Sequence, residues 1–236
     1  MTLDDDSFDD SFADVADELY ALGDAARVAE AIARIGREAV GCDMAVVSFV
    51  ASGRRLQPAA GTSREAFRAV ELQGALGEGP GRTAVHSCST EGSDDLGKES
   101  RWPLWASAAA DLGVRSSLAV PLHEGGRVFA VLHLYSEHPG TFDAAKISLA
   151  RRLARRSSLA LAAVRRTDHL KKAVDARTVI GQAEGILMER YNLDADTAFS
   201  VLRRHSQQGN LKLHDVAQTV VRERSLPGLD LAVSAS

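Results

Sequence analysis

Apolar residues recur at mostly three- or four-residue steps from Val15 to Val40, at Leu19, Leu22, Val28, Ile32 and Ile35, and the run ends at Gly41. That spacing predicts one or two helices with a break near Gly23-Asp24. The β-branched run MAVVSFVA (Met44 to Ala51), the turn SGRR and the segment LQPAAG predict a hairpin. SREAFRAVELQ follows as a short helix with Ser63 as N-cap. GALGEGPGRTAVHS then gathers glycines around Glu78 and Pro80 and reads as a glycine-rich loop. In RWPLWASAAADLG, the residues Trp102, Trp105, Ala109 and Leu112 share a helical face that stops at Gly113. VRSSLAVPLHEGGRVFAVLHLYS predicts two strands joined at Glu124-Gly125-Gly126.

Phe142 to about Arg166 holds neither glycine nor proline and is rich in Ala, Leu and Arg, which predicts a long helix. Ile147, Ala150, Leu153, Ala154, Ala160, Leu161 and Val164 form its stripe, and the heptad spacing of Ile147, Ala154 and Leu161 favours a parallel coiled coil over a core-packed helix. Three further amphipathic patterns follow. The first, from about Val174 to Tyr191, carries Val179, Ile180, Ala183, Ile186 and Leu187 on one face and is interrupted at Asn192-Leu193. The second, with Asp194 as N-cap, has Ala198, Val201, Leu202 and His205 with Phe199 alongside, and Gly209-Asn210 closes it. The third bears Leu213, Val216, Ala217, Val220 and Val221. Such one-sided helices must bury their faces together, so a three-helix bundle follows, with Leu187, Met188 and Phe199 assigned to its core. Tyr191 is left between core packing and stacking on a base.

The plan is therefore an α+β domain, a mostly antiparallel sheet covered by helices, followed by an all-α bundle. In ranges, an acidic arm (1–14) read as disordered precedes a sensor-like domain (15–165) ending in the long helix (about 142–166). The bundle (166–225) and a flexible tail (226–236) complete the chain.

Composition changes this picture little. With 236 residues, 45% hydrophobic and 25% charged, the chain is of ordinary globular type. The start lacks the features of a secretion signal and no run reaches the roughly 20 apolar residues of a membrane span, so a cytoplasmic protein with no membrane partner is expected. Cys42 and Cys88 offer neither metal-ligand spacing nor a disulfide framework, and no metal site is expected. The net charge of −4 conceals an acidic start and a basic segment at Lys146, Arg151, Arg152, Arg155, Arg156, Arg165, Arg166, Lys171 and Lys172, which suggests a local polyanion contact.

No phosphate-binding loop, dinucleotide fingerprint or hydrolase motif is present, so no catalytic residues are assigned and the chain is not expected to be an enzyme. The seven histidines are scattered. His133, in an alternating strand, could face a pocket, and Glu78 and Gly79 could shape one by letting backbone approach a small ligand. The ordinary readings are a satisfied core histidine and a plain turn.

Two resemblances add function. GEGPGRTAVHS, RWP before a helix, and VRSSLAVPLHEGGRVFAVLHLYS, in that order, resemble the GAF family over about residues 15–165. This implies a small-molecule or cofactor sensor that pairs through flanking helices, with the cofactor unknown. The bundle closely resembles the ANTAR family, RNA-binding domains of bacterial transcription antitermination regulators. The matching pieces are Ala176-Arg177, Val179-Ile180, QAEGILM (Gln182 to Met188), Ala198-Phe199, LRR (Leu202 to Arg204), Ser206, Asn210, Lys212-Leu213 and Val216-Ala217. Glu184 stands where many family members have Lys.

The resemblance implies a regulator that binds paired hairpins in nascent RNA, naturally as a homodimer. Arg177, Gln182, Arg190, Arg203, Arg204, Ser206, Asn210 and Lys212 supply the types that neutralise phosphate and read base edges. Because acidic residues bring the bundle near neutrality, a ligand-sensing module that acts by protein contact stands as the alternative.

Overall fold

A computed structural model describes residues 23–226, so the acidic arm, the Val15–Leu22 part of the first helical pattern and the tail after Leu226 lie outside the described residues. The chain divides into two compact units between Asp168 and His169.

In the first unit, α1 (Ala25–Val40) starts where Asp24 accepts the Ala26 N–H at 2.7 Å and stops at Gly41, which adopts a left-handed φ of 65° that costs glycine least. β1 (Met44–Ala51) and β2 (Arg55–Gly61) form the expected hairpin. β2 is an edge strand, which is why Pro58 is tolerated within it. α2 (Arg64–Leu76) begins on Ser63, whose hydroxyl accepts the Ala66 N–H at 3.2 Å. α3 (Pro80–Ser87), β3 (Glu91–Ser93) and α4 (Pro103–Asp111) precede β4 (Ser116–Glu124) and β5 (Arg127–Ser136). Gly125 and Gly126, at φ of 54° and 78°, give the β4–β5 turn the two left-handed residues that a tight hairpin requires.

The strand order is β2-β1-β5-β4-β3, antiparallel throughout. Side chains alternate across it. Val47, Val120, Leu132 and Leu134 pack with Val28 and Ile32 of α1 and with Leu153 and Leu161 of α5 (Ala144–Tyr191). Val46, Ala119, Val131 and Tyr135 face the other way, onto Val70 of α2, Val85 of α3 and Trp105 of α4. The result is helices on both faces of one sheet.

In three places the first unit and the long helix depart from the sequence-based expectation. The glycine-rich loop contains α3, whose first residue, Pro80, already has a helical φ and whose Ala84 and Val85 are buried; eight residues are too few to show a period. The Ala150–Val164 stripe belongs to the first unit's own core instead of facing a coiled-coil partner: Ala150, Leu153, Ala154, Ala160 and Leu161 are each at most 1% exposed. The alanines at 150, 154 and 160 let the helix lie close to the sheet, while Leu153 and Leu161 fill the space between. Finally, no break separates the long helix from the first bundle helix, because 166–174 contains neither proline nor glycine to stop it.

The second unit packs α5 from His169 onward with α6 (Ala195–Gly209) and α7 (Leu213–Glu223) around Ala183, Leu187, Ala198, Leu202, Val216, Ala217 and Val220. Asn192, at φ 53°, ends α5 while the Leu193 N–H reaches back to the Met188 carbonyl at 3.2 Å. Asp194 then accepts the Thr197 N–H at 2.7 Å to start α6. Leu187 is a core residue as expected, but Met188 is 37% exposed and neither it nor Phe199 belongs to the core cluster. The stripe is narrower than its sequence, and their neighbours Leu187 and Ala198 take the inward positions. Leu226, assigned by sequence to the tail, is 1% exposed and packs into the bundle.

Candidate nucleic-acid interface and ligand site

On the bundle, Arg177, Gln182 and Arg190 lie exposed on α5, and Arg203 and Arg204 lie exposed on α6. The helical period keeps these side chains outside because Ala183, Leu187 and Leu202 occupy the inward positions. Gln182 and Arg190 meet Gly185, Ile186, Glu189, Val221 and Arg224 in a cleft of about 570 Å³ between α5 and the end of α7. Arg190 also sets its guanidinium 5.7 Å from the Tyr191 ring centroid. Tyr191 itself is half-buried and packs on the bundle core. Sequence reasoning missed Arg224, which closes α7 in the left-handed conformation at φ 57°.

Ser206, Asn210 and Lys212 come together at the turn between α6 and α7. The Ser206 hydroxyl donates to the Leu211 carbonyl at 2.7 Å, and the Leu211 N–H returns to the Ser206 carbonyl at 3.0 Å. Asn210 takes φ 49°, a conformation that Asn tolerates better than most residues, and Lys212 is the N-cap of α7. Ser206 is thus committed to holding the turn, while Asn210 and Lys212 stay exposed on it. Glu184 is half-buried beside the core residue Ala183.

In the first unit, His133 is fully buried on β5 and its Nε2 lies 2.8 Å from the Ser48 hydroxyl. Its Nδ1 has no hydrogen-bond partner among the described residues. Burial pulls its pKa from the ordinary 6.5 down to about 3, so the ring is neutral at physiological pH. Gln73, a polar residue at a core position of α2, is the hub that sequence reasoning missed. Its Oε1 accepts the N–H groups of Gly81 at 2.8 Å and Arg82 at 3.2 Å, and its Nε2 donates to the Tyr135 hydroxyl at 3.3 Å. The signal was available: Ala66, Ala69, Val70 and Gln73 form one buried stripe, and an amide in such a stripe must find partners.

Gly79 and Gly81 fit against this hub. Gly79 sits at φ 133°, where a Cβ would meet the Gln73 Cγ at 2.5 Å, and a Cβ on Gly81 would collide with the His133 ring. Glu78 points elsewhere, its carboxylate accepting the Trp105 N–H at 2.8 Å at the start of α4. Of the three residues assigned to a ligand pocket, Gly79 and His133 therefore share the Gln73 cluster, and Glu78 holds a helix end.

A family model described as a GAF domain matches residues 24–162, and one described as an ANTAR domain matches residues 168–221. No curated protein matches the sequence. Among solved structures, the chain is similar to free methionine-R-sulfoxide reductase from Neisseria meningitidis in complex with its substrate, at 20% identity over 65% of this chain and 89% of that one, TM-score 0.51. It is also similar to the cyanobacteriochrome TePixJ GAF domain, at 22% identity over 62% of this chain and 94% of that one, TM-score 0.50. The chromophore-binding domain of the bacteriophytochrome RpBphP3 from R. palustris is similar at 12% identity over 70% of this chain and 64% of that one, TM-score 0.53. At such identities these likenesses show the shared fold alone.

Proposed function

Because the chain belongs to the GAF family, its GAF domain followed by an ANTAR domain, we propose that it is a signal-responsive regulator of transcription antitermination that binds hairpins in nascent RNA. ANTAR domains are RNA-binding antiterminators and GAF domains are sensors, so the architecture is regulatory, and we read the chain as a non-enzyme. The observation that carries the proposal is the ANTAR match over the bundle, where Arg177, Arg203, Arg204 and Lys212 are all exposed. These cations neutralise phosphate. Gln182 and Asn210 read base edges, and Arg190 serves at the cleft it shares with Gln182. Ser206 acts by fixing the turn that presents Asn210 and Lys212.

Among the described residues no helix is long and apolar enough to cross a membrane, and we place the protein in the cytoplasm. The working form is a homodimer in which each bundle takes one hairpin of a pair, since two linked contacts raise affinity through effective concentration. In the GAF domain, the Nδ1 of His133, which has no partner among the described residues and lies beside Gly81, supports a small-molecule signal as the input. That signal must bind two states of the protein unequally to switch it.

Replacing Arg203 and Arg204 together by Ala is expected to weaken binding to a two-hairpin RNA about tenfold or more at fixed salt, with the fold intact by circular dichroism. The slope of log affinity against log salt should flatten by about one for each phosphate that is no longer neutralised. Unchanged affinity and slope would overturn the RNA assignment in favour of a bundle that docks a protein. Comparing one-hairpin with two-hairpin RNA tests the dimer, because a monomer gains nothing from the second hairpin.

A further inference from the structure

A second cleft, of about 510 Å³, opens in the GAF domain between the β4 side of the sheet and the first half of α5. Its origin is in the strand pairing. β3 pairs with β4 only from Glu91 opposite Ala119 to Ser93 opposite Ser117, so Val120 and Pro121 have no outer strand among the described residues. Pro121 keeps its place opposite Val131 of β5 but has no N–H to offer a further strand. The chain before β3 instead passes through Cys88, which turns it with a left-handed φ of 53°.

Facing this apolar edge, α5 presents Arg151, Arg155 and Leu159, four residues apart and so on one helix face. Leu159 is 71% exposed although apolar surface lies across the cleft from it. The charge is one-sided. Arg151 donates its Nε to the Thr90 hydroxyl at 3.0 Å, which leaves the four hydrogens of its terminal nitrogens. Among the described residues Arg155 pairs with no carboxylate, and no Asp or Glu lines the cleft. The nearby Glu91 is already occupied by the hydroxyls of Ser87 and Ser89 and by Arg101. In the ANTAR cleft, by contrast, Glu189 accompanies Arg190 and Arg224.

We propose that this cleft is a binding site for a small organic anion, its charged head held by Arg151 and Arg155 and its apolar body laid along Val120, Pro121 and Leu159. Guanidinium groups make their strongest hydrogen bonds to carboxylate, phosphate or sulfonate oxygens. An apolar ligand body would cover surface that water now meets. The volume falls within the roughly 300–1,000 Å³ of small-molecule sites. The site shares no residue with the cluster around Gln73 and His133, so it provides a second input to the GAF domain, on the helix that continues to Tyr191.

Cys88 lines the cleft and supplies the readout. The other thiol, Cys42, is pushed up to about 12 by burial and stays unreactive near neutral pH. Alkylation of Cys88 by iodoacetamide in the full chain is followed by mass spectrometry with decanoate or decanol present, two probes that differ in charge at equal chain length. Decanoate is expected to protect Cys88 at about one tenth of the concentration that decanol needs. The Arg151→Gln, Arg155→Gln double variant should remove that difference. Without any ligand, it should also lower the rate of iodoacetate relative to iodoacetamide several-fold, since the guanidiniums draw in the anionic reagent. The proposal is overturned by equal protection from the two probes, by no protection from either, or by a decanoate preference that survives in the variant. It is equally overturned if Cys88 becomes protected simply on raising the protein concentration, which would mean that a second copy covers the cleft.

Discussion

One buried amide organises much of the GAF domain. Gln73 serves three partners on α3 and β5, and the close approach this demands is available only because residues 79 and 81 are glycines. Gly81→Ala would press a methyl group into a fully buried imidazole, with an expected loss of about 1–3 kcal/mol in denaturant unfolding. His133 itself predicts a pH dependence. Its folded pKa lies near 3 while the unfolded chain titrates near 6.5, so only the unfolded chain takes up this proton between those values. The contribution is whole above about pH 6.5 and is lost as pH falls towards 3, by up to about 1.4 kcal/mol per pH unit. Comparing stability slopes of wild type and His133→Gln between those limits isolates it, and equal slopes would refute it. At this scale the sequence was only partly legible. The exposure of Arg177, Arg203 and Arg204 follows from helical period, but the pairing of Gln73 with residues 81 and 82 depends on how α2 meets α3, which no local pattern encodes.

Elements were far more legible, because periodicity and end signals act locally. The extent of β1, the Ser63 and Asp194 caps and the glycine hairpin turn all follow from short-range rules. The misreadings arose where two solutions share one pattern. A heptad of apolar residues such as Ile147, Ala154 and Leu161 suits a coiled coil and a sheet-packed helix equally, and only the presence of the sheet decides between them. The turn between α6 and α7 separates structure from recognition. Asn210→Gly keeps the left-handed conformation without a side chain, so it should preserve the melting temperature while weakening RNA binding several-fold. Asn210→Ala should weaken RNA binding similarly and also cost about 1 kcal/mol of stability. If Asn210→Gly binds RNA like wild type, Asn210 serves the turn alone.

At the scale of the whole molecule, the described residues form two hydrophobic cores on the faces of one sheet and a third in the bundle, and the residues of the third come entirely from the second unit. Damage to one core is therefore expected to leave the other unit standing, since blocks with cores of their own can open separately. Trp102 and Trp105, the chain's two tryptophans, sit edge to face with ring centroids 6.2 Å apart, and both belong to the GAF core. Indole emission is consequently blind to the RNA-binding half. Leu202→Ala should lower the midpoint of helix melting followed by far-ultraviolet dichroism and leave the emission midpoint in place, so a shared shift of both would show the halves melting as one. The same blindness has a use. A change in indole emission when a metabolite is added reports the sensor end, and RNA can be present throughout without adding a tryptophan signal of its own.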